Sequence, residues 1–532
     1  MNCEKKIFSN FYFKTFFIGW SLCCSIWSFM IFQFWWGNHD WDHLKRGVSL
    51  AAGFFEARYS LHLPSVLFFD GQLLPVFTLC CTNCFLVIMA ILTAKYLQIP
   101  KTIFSYLFFV LVVVSLPHIA ILFYFVHYML ALAFWGCVGI GLLFLFEDDH
   151  KWWKFVSGTI GFVLLLGSYP PIFSLLITVF VGKKILDYLK NLYGFRKLVN
   201  EGLFFCGQLV SAFLVYKVIL AYLVSVNMVN TGMYNLSTYT VWEVLRHVPI
   251  ELWASFTFLR DLQRFFGNMY LLFFAILFSV GLGIIIFKAK NKIIAIALII
   301  TLLLASRLSF LLAGASYIAY FRVCLWGELG LFFVFLAFLL RENTKVVRNF
   351  LFVCGIIFCS CFLRTDFEIQ KVQWLGFYSE RLFHKRVDEK LFSYPKFDLN
   401  NHYMVLNFGY PKLHHHFCYD GCKGFNNDVL DNTVLEAYFG DVIFWDEVAK
   451  PRITKLGAWG GLMYFVGETP SNMSIYADNV ADLRYWAYVN ARRYPAETGI
   501  YVDDQFLFFM FDKMFFDTNR EMVLDQLKLR QK

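Results

Sequence analysis

The chain has 532 residues, of which 59% are hydrophobic, 20% aromatic and only 16% charged. Soluble globular proteins carry about 25% charged residues, so this composition excludes a soluble enzyme or a disordered chain and indicates a membrane protein. The net charge of +9 is unevenly distributed, because residues 1–364 carry 28 Lys and Arg against 15 Asp and Glu, whereas residues 365–532 carry 19 against 23.

Long apolar runs predict about eleven transmembrane helices, because a bilayer core about 30 Å thick needs roughly 20 apolar residues per helix. The runs lie near 12–36, 73–94, 102–116, 118–146, 154–168, 170–189, 203–226, 266–287, 293–314, 318–340 and 349–363. Two pairs are separated only by the proline-containing breaks 116–118 and 167–171, where proline ends a helix. The helix count therefore carries a margin of one or two.

The basic residues between these runs predict the orientation of the chain. Six segments hold them, and all six fall on one side if eleven helices cross the membrane: Lys5-Lys6, Lys95 with Lys101, Lys151 with Lys154, 183–197, 288–292 and 341–348. The positive-inside rule then places the N-terminus in the cytoplasm, with the loops 37–72 and 227–265 and the tail outside. On this interpretation the positive charge sets the orientation of the chain in the membrane. It therefore does not indicate a nucleic-acid partner.

The tail differs in character and predicts a small α+β domain. Strand-like stretches occupy 402–408 and 499–511, the latter with a turn at Asp503-Asp504, and helix-like stretches occupy 428–439, 476–491 and 519–530. We therefore divide the chain into a multi-spanning domain, 1–363, and an extracytoplasmic α+β domain, 364–532. Within the tail, Cys418 and Cys422 suit a small disulfide loop, with a zinc site using His414, His415 or His416 as the alternative.

The first outer loop holds the densest group of polar residues near the membrane. A helix over 42–58 lying on the bilayer would place Asp42 and Arg46 on one face and let Leu50, Phe54 and Phe55 enter the lipid. A carboxylate beside a cation suits a transferase that acts on a lipid-phosphate sugar, since a base takes the acceptor proton and cations stabilise the departing phosphate. A solvated loop that only caps the helix is an equal alternative.

Three basic residues interrupt apolar runs: Lys217, Arg307 and Arg322. Charges within lipid usually face a bundle interior or a cavity, and all three lie nearer the predicted outer face, where they suit an anionic lipid head. Snorkelling to the interface is the alternative for each of them. His118 and Tyr169 stand at predicted outer turns and are candidates to line the same cavity.

These features together resemble a known family. The first outer loop reads Asp40-x-Asp42-x-x-x-Arg46-Gly47 and continues to Ala57-Arg58-Tyr59, with further similarity in the 165–170 turn and the run 117–132. With many broken helices and an outer C-terminal domain, the chain resembles the multi-spanning GT-C glycosyltransferases of bacteria, in particular the O-antigen glucosyltransferase family known as type II. The similarity covers most of residues 10–365.

The resemblance implies a polytopic α-helical, GT-C-like enzyme of the bacterial inner membrane with a periplasmic C-terminal domain. Its donor would be a sugar, glucose by resemblance, on polyprenyl phosphate, and its acceptor a lipid-linked or surface polysaccharide such as the O-antigen of lipopolysaccharide. An acidic residue of the first loop would be the general base, and His39 before Asp40 departs from the family pattern, which leaves both Asp40 and Asp42 as candidates. We favour Asp42, with Asp40 assisting it or holding a divalent cation, Mg²⁺ or Mn²⁺; no cofactor is otherwise implied. Arg46, Arg58, Arg307 and Arg322 would surround the phosphate, with His118 and Tyr169 beside the substrate.

Two rival functions share the same layout. A polysaccharide polymerase or ligase would have similar helices and outer loops, and a lipid or glycan transporter is the non-enzymatic alternative. A transporter should show paired halves with matching broken helices, and the sequence shows no such pairing. P-loop, G-x-G-x-x-G, H-E-x-x-H and G-x-S-x-G motifs are also missing, so ATPase, dinucleotide, zinc-peptidase and serine-hydrolase chemistry lacks support.

Overall fold

A computed structural model describes most of the residues before 396 and three strands of the tail. The described residues are 2–33, 47–55, 57–117, 119, 126–146, 152–190, 194–229, 242–243, 245–253, 268–308, 320–341, 345–395, 404–408, 500–502 and 506–510. The chain divides into two compact units, one formed by Met1–Lys371 with Phe425–Asn432 and the other by Val372–Gly424 with Thr433–Lys532.

Helices dominate the first unit, and their bounds follow the apolar runs of the sequence. They are α1 Asn2–Ile26, α2 Ser28–Phe32, α3 Leu50–Phe55, α4 Leu63–Phe69, α5 Pro75–Tyr96, α6 Ile103–Val114, α7 Val126–Leu143, α8 Trp152–Leu166, α9 Ile172–Leu189, α10 Phe195–Ser225, α11 Asn268–Lys288, α12 Lys292–Ser306, α13 Tyr320–Leu340 and α14 Lys345–Phe392. Every predicted apolar run therefore has a helix in the corresponding place.

Three of the described helices are long and apolar enough to cross a membrane. They cover Pro75–Tyr96, Arg196–Ser225 and Asn268–Lys288, and shorter apolar helices accompany them. The chain is therefore consistent with a helical membrane protein. The number of spans stays a prediction, because helices such as α6 and α8 have apolar segments shorter than a full bilayer crossing.

Glycines allow the central helices to approach closely. A methyl group at Gly136 of α7 would lie 2.9 Å from the Met89 sulfur of α5, and one at Gly182 of α9 would lie 2.3 Å from Val334 of α13. Small residues at helix contacts let backbones come together, which stabilises helix association where no hydrophobic effect operates between helices. The α5–α7 and α9–α13 pairs form extensive helix contacts in this unit.

The basic segment 183–197 begins inside a helix rather than in a loop. Lys183 and Lys184 belong to α9 and are buried. The Lys183 ammonium lies 2.7 Å from the Asp187 carboxylate, and Lys184 pairs with Glu201 of α10. Two of the positive charges that the topology prediction uses are therefore neutralised by buried carboxylates.

A side chain near the C-terminal end of the first unit stabilises the break between α1 and α2. Trp27 interrupts the helix, and the buried Gln370 of α14 donates through Nε2 to the Ile26 carbonyl at 3.1 Å and accepts from the Met30 N–H at 3.2 Å. One side chain thus satisfies a backbone acceptor and a backbone donor. α14 itself continues through the predicted domain boundary at 363/364 and the unit boundary at 371/372.

Three strands lie where the tail sequence predicts them. β1 Met404–Phe408 pairs in parallel with β3 Phe506–Met510, and β2 Ile500–Val502 pairs with β3 antiparallel, giving the order β1-β3-β2. The predicted turn at Asp503-Asp504 falls between β2 and β3. The helix-like stretches 428–439, 476–491 and 519–530 lie outside the described residues, so the α+β domain as a whole stays a prediction.

Candidate functional site

The first loop can be followed from Gly47, after the acidic group that the sequence singles out. Asp40, Asp42 and Arg46 lie outside the described residues, which include 47–55, 57 and 58 of the predicted helix 42–58. The helix that is observed here, α3, is only six residues long, and Phe54 packs on Tyr59 with ring centroids 6.5 Å apart. Phe54 therefore contacts protein, where we expected it to enter the lipid.

A tight turn follows α3 and fixes the position of Arg58. The Arg58 N–H donates to the Gly53 carbonyl at 2.7 Å, and Ala57 adopts a left-handed backbone with φ of 58°. A methyl group at Gly53 would lie 2.6 Å from the Arg58 carbonyl oxygen, so the absence of a side chain at residue 53 permits this closure. The chain thus reverses direction immediately before Arg58.

Hydrogen bonds fasten this turn to the end of α8. The Tyr59 hydroxyl donates to the Val163 carbonyl at 2.8 Å, and the Ser60 N–H donates to the Gly167 carbonyl at 3.0 Å. Burial raises the pKa of the Tyr59 hydroxyl, which therefore stays a neutral donor at physiological pH. On the other side, the Trp135 indole of α7 donates to the Ser60 carbonyl at 3.0 Å. The first loop is therefore held between α7 and α8.

Arg58 lies against two aromatic rings. Its guanidinium carbon is 5.4 Å from the centre of the Tyr169 ring and 5.8 Å from that of Tyr128 in α7. The buried His62 ring stacks on Tyr128, with centroids 5.7 Å apart and planes 24° apart. A guanidinium held against aromatic faces keeps a fixed orientation, and its planar fork matches a phosphate or carboxylate.

The structure contains the predicted break at 167–171, and this break positions Tyr169. α8 ends at Leu166, the Tyr169 N–H donates to the Leu165 carbonyl at 3.2 Å, and α9 begins at Ile172. A methyl group at Gly167 would lie 2.2 Å from Tyr59 Cζ. The turn therefore approaches the first loop so closely that any side chain at residue 167 would displace the Tyr59 ring.

The end of α10 completes the surroundings of the loop. Ala57 shares a buried apolar cluster with Tyr216, Leu220 and Leu223 of α10, against which Tyr59 and Phe54 also pack. Lys217, on the same helix, lies 5.4 Å from the centre of the Phe213 ring. The ends of α8 and α10 therefore both lie beside the turn that carries Arg58.

The remaining basic candidates have different surroundings. Arg307 follows the last residue of α12, is buried, and donates through Nε to the Glu251 carboxylate at 3.1 Å. Arg322 lies in the first turn of α13, and its side chain is outside the described residues, as is all of His118. Of the predicted site residues, the structure thus brings Arg58 and Tyr169 together.

Sequence reasoning missed several partners that the structure reveals. Glu328 interrupts the apolar run 318–340 as Lys217, Arg307 and Arg322 interrupt theirs, and it is buried. Applied to acidic residues, the same criterion would have found it. His62 and Glu251 gave no comparable signal, because each lies in a predicted loop, 37–72 or 227–265, and not within an apolar run.

Within the described residues, no group of three or more His, Cys, Asp or Glu side chains is arranged to hold a metal ion. Asp40 and Asp42 fall outside those residues, as do Cys418, Cys422 and the neighbouring histidines, so the divalent-cation, disulfide and zinc hypotheses stay predictions. No family model matches the chain, and neither the curated proteins nor the solved structures contain a significant match to it.

Proposed function

We propose that the chain is a membrane glycosyltransferase that uses a polyprenyl-phosphate sugar, with glucose as the sugar and a lipid-linked or surface polysaccharide such as O-antigen as the acceptor. The reaction would take place at the outer face of the bacterial inner membrane. The contact of Arg58 with Tyr169 is the observation that supports this proposal best. It joins the Ala57-Arg58-Tyr59 segment and the 165–170 turn, two distant segments on which the family resemblance depends.

The proposed reaction assigns a role to each end of the first loop. An acceptor hydroxyl attacks the anomeric carbon of the donor sugar, and its proton passes to the Asp42 carboxylate. The bond from that carbon to the phosphate oxygen breaks, and polyprenyl phosphate leaves with the electron pair. Arg58 stabilises the negative charge that grows on the leaving phosphate, with Arg46 beside it.

Arg58 is the phosphate ligand we favour over Arg307. Two tyrosine rings orient the Arg58 guanidinium, whereas the Arg307 guanidinium is buried against the Glu251 carboxylate. A phosphate that binds Arg307 must therefore enter a buried position beside that carboxylate, whereas the partly exposed Arg58 can be reached more readily. Arg322 and His118 keep their proposed places beside the substrate, and Asp40 keeps its place beside Asp42.

The experiment that tests this function is mass spectrometry of surface glycan from cells with the intact gene, without the gene, and with an Asp42→Asn variant. Loss of one hexose per repeat in both defective strains is the expected result. Asp70→Asn is a matched control, because Asp70 is an exposed carboxylate of the same loop with φ of 50°, a backbone conformation that asparagine tolerates. Its glycan should be unchanged at equal protein yield.

Other outcomes separate the rival functions. A hexose retained in the Asp42→Asn strain would remove Asp42 as the base. Glycan of altered chain length, with its side branch intact, would identify a polymerase or ligase. Unchanged glycan in the strain without the gene would refute the transferase proposal and favour transport.

A further inference from the structure

A short helical stretch between α10 and α11 exposes a row of large apolar side chains. Residues 242–243 and 245–253 are helical and read Trp-Glu and Leu-Arg-His-Val-Pro-Ile-Glu-Leu-Trp. The exposed fractions are 75% for Trp242, 54% for Leu245, 57% for Ile250 and 70% for Trp253. Large aromatic and aliphatic side chains are rarely left so open unless a membrane or another protein covers them.

The spacing of these side chains places them on one face. At 100° per residue, Trp242 and Trp253 differ by three full turns plus about 20°, so they lie almost in line along the helix. Leu245 and Ile250 flank that line, and the exposed Arg246 lies between the two tryptophans. The exposed Glu243 lies at the margin of this face, about 100° from Trp242.

The opposite face is attached to the helical unit. Glu251 lies about 180° from Trp242, and its carboxylate accepts from Arg307 Nε at 3.1 Å. Arg307 is 3% exposed and follows the last residue of the apolar helix α12. The ion pair therefore fixes the stretch at the level where α12 ends, with the row of tryptophans facing away from the protein.

We propose that residues 242–253 form an interfacial helix that lies in the headgroup layer of the membrane, covered by phospholipid. As one helix, residues 242–253 would span about 18 Å, which is less than the roughly 30 Å of a bilayer core. Tryptophans at both ends match the aromatic residues that membrane proteins place at the lipid–water boundary. Arg246, between them, contacts lipid phosphate. This role holds whichever reaction the chain performs.

Photo-crosslinking of the full-length protein in nanodiscs of phosphatidylethanolamine and phosphatidylglycerol tests the assignment. Benzoylphenylalanine replaces Trp242, Leu245 or Trp253 in separate variants, and Val248, which is partly buried and lies about 120° from Trp242, beyond Leu245, serves as the matched control. After irradiation, intact-mass spectrometry should show the mass of one phospholipid added at the three exposed positions, several-fold more often than at 248. Three independent positions allow for a single variant that fails to fold.

Different products would overturn the assignment. A doubled mass would show that a second copy of the chain covers the row, and an internal cross-link to the tail would show that residues after 395 cover it. Equal lipid labelling at 248, or no lipid adduct at any exposed position, would also refute it. As a second measurement, Arg246→Glu should reduce the adducts with phosphatidylglycerol at residue 253, and unchanged adducts would remove Arg246 as a phosphate contact.

Discussion

Substitution of Gly167 by alanine tests the close approach between the first loop and the turn after α8. The added methyl carbon would lie 2.2 Å from Tyr59 Cζ and 2.3 Å from its Cε2 atom. Carbon atoms pack at about 3.5–4.0 Å, so the Tyr59 ring must move by more than about 1 Å. That movement disturbs the 2.8 Å hydrogen bond from Tyr59 to the Val163 carbonyl.

The expected cost follows from these two effects. Overpacking of this kind costs about 1–3 kcal/mol, and loss of one hydrogen bond adds about 1 kcal/mol. We therefore expect Gly167→Ala to lower the free energy of unfolding by about 2–4 kcal/mol. Titration of the purified protein with sodium dodecyl sulfate in mixed micelles, followed by tryptophan fluorescence, measures the change.

Two further variants make the measurement decisive. Gly141→Ala is the matched control, because a methyl group at this α7 glycine meets no atom within 4 Å and helix propensity favours alanine by about 0.5–1 kcal/mol. In a Tyr59→Ala background the clash is gone, so Gly167→Ala should then cost little. If Gly167→Ala behaves like Gly141→Ala, or if its cost is the same without Tyr59, the close contact does not exist.

The remaining predictions concern Arg58, Tyr169, Arg307, Glu251 and Asp366. Arg58→Gln and Tyr169→Ala should each slow glycosyl transfer by about tenfold, while Tyr169→Phe, which keeps the ring, should not; equal rates for the two Tyr169 variants would contradict the ring contact. Glu251→Gln should destabilise the protein by about 1–3 kcal/mol, because the buried Arg307 loses the carboxylate 3.1 Å from its Nε, and an unchanged unfolding midpoint would refute the pairing. Asp366→Asn should raise the free energy of unfolding by about 1–3 kcal/mol, because both Asp366 carboxyl oxygens are buried with no hydrogen-bond partner in the described part of the chain. A loss of stability in this variant would show that Asp366 has a partner.

The sequence located the helices well because lipid demands long apolar runs and proline or glycine ends them. The break at 167–171 and the strands 404–408 and 506–510 lie where the pattern predicted. Local patterns contain no information on which distant segments meet, so the contact between Arg58 and Tyr169 could not be predicted. Lys183 shows a second limit, because a charge interpreted as part of a loop is buried one helical turn from Asp187.

The structure also distinguishes two basic residues, Arg58 and Arg307, by what surrounds each of them. The sequence treated Arg58 and Arg307 as equivalent cations near one phosphate. The structure surrounds Arg58 with tyrosine rings and Arg307 with a carboxylate. The distinction depends on Glu251, which lies 56 residues from Arg307 in the chain, and spacing within the sequence could not reveal the pairing.

The bridge from Gln370 to the break between α1 and α2 has a consequence for the order of biosynthesis. A ribosome makes Ile26 and Met30 344 and 340 residues, respectively, before the side chain that satisfies their backbone groups. At the usual elongation rate of about 5–20 residues per second, the Ile26 carbonyl and the Met30 N–H wait for tens of seconds before Gln370 is made. During that interval, these two backbone groups need other hydrogen-bond partners such as water, and nascent chains released before residue 370 would never form the Gln370 bridge.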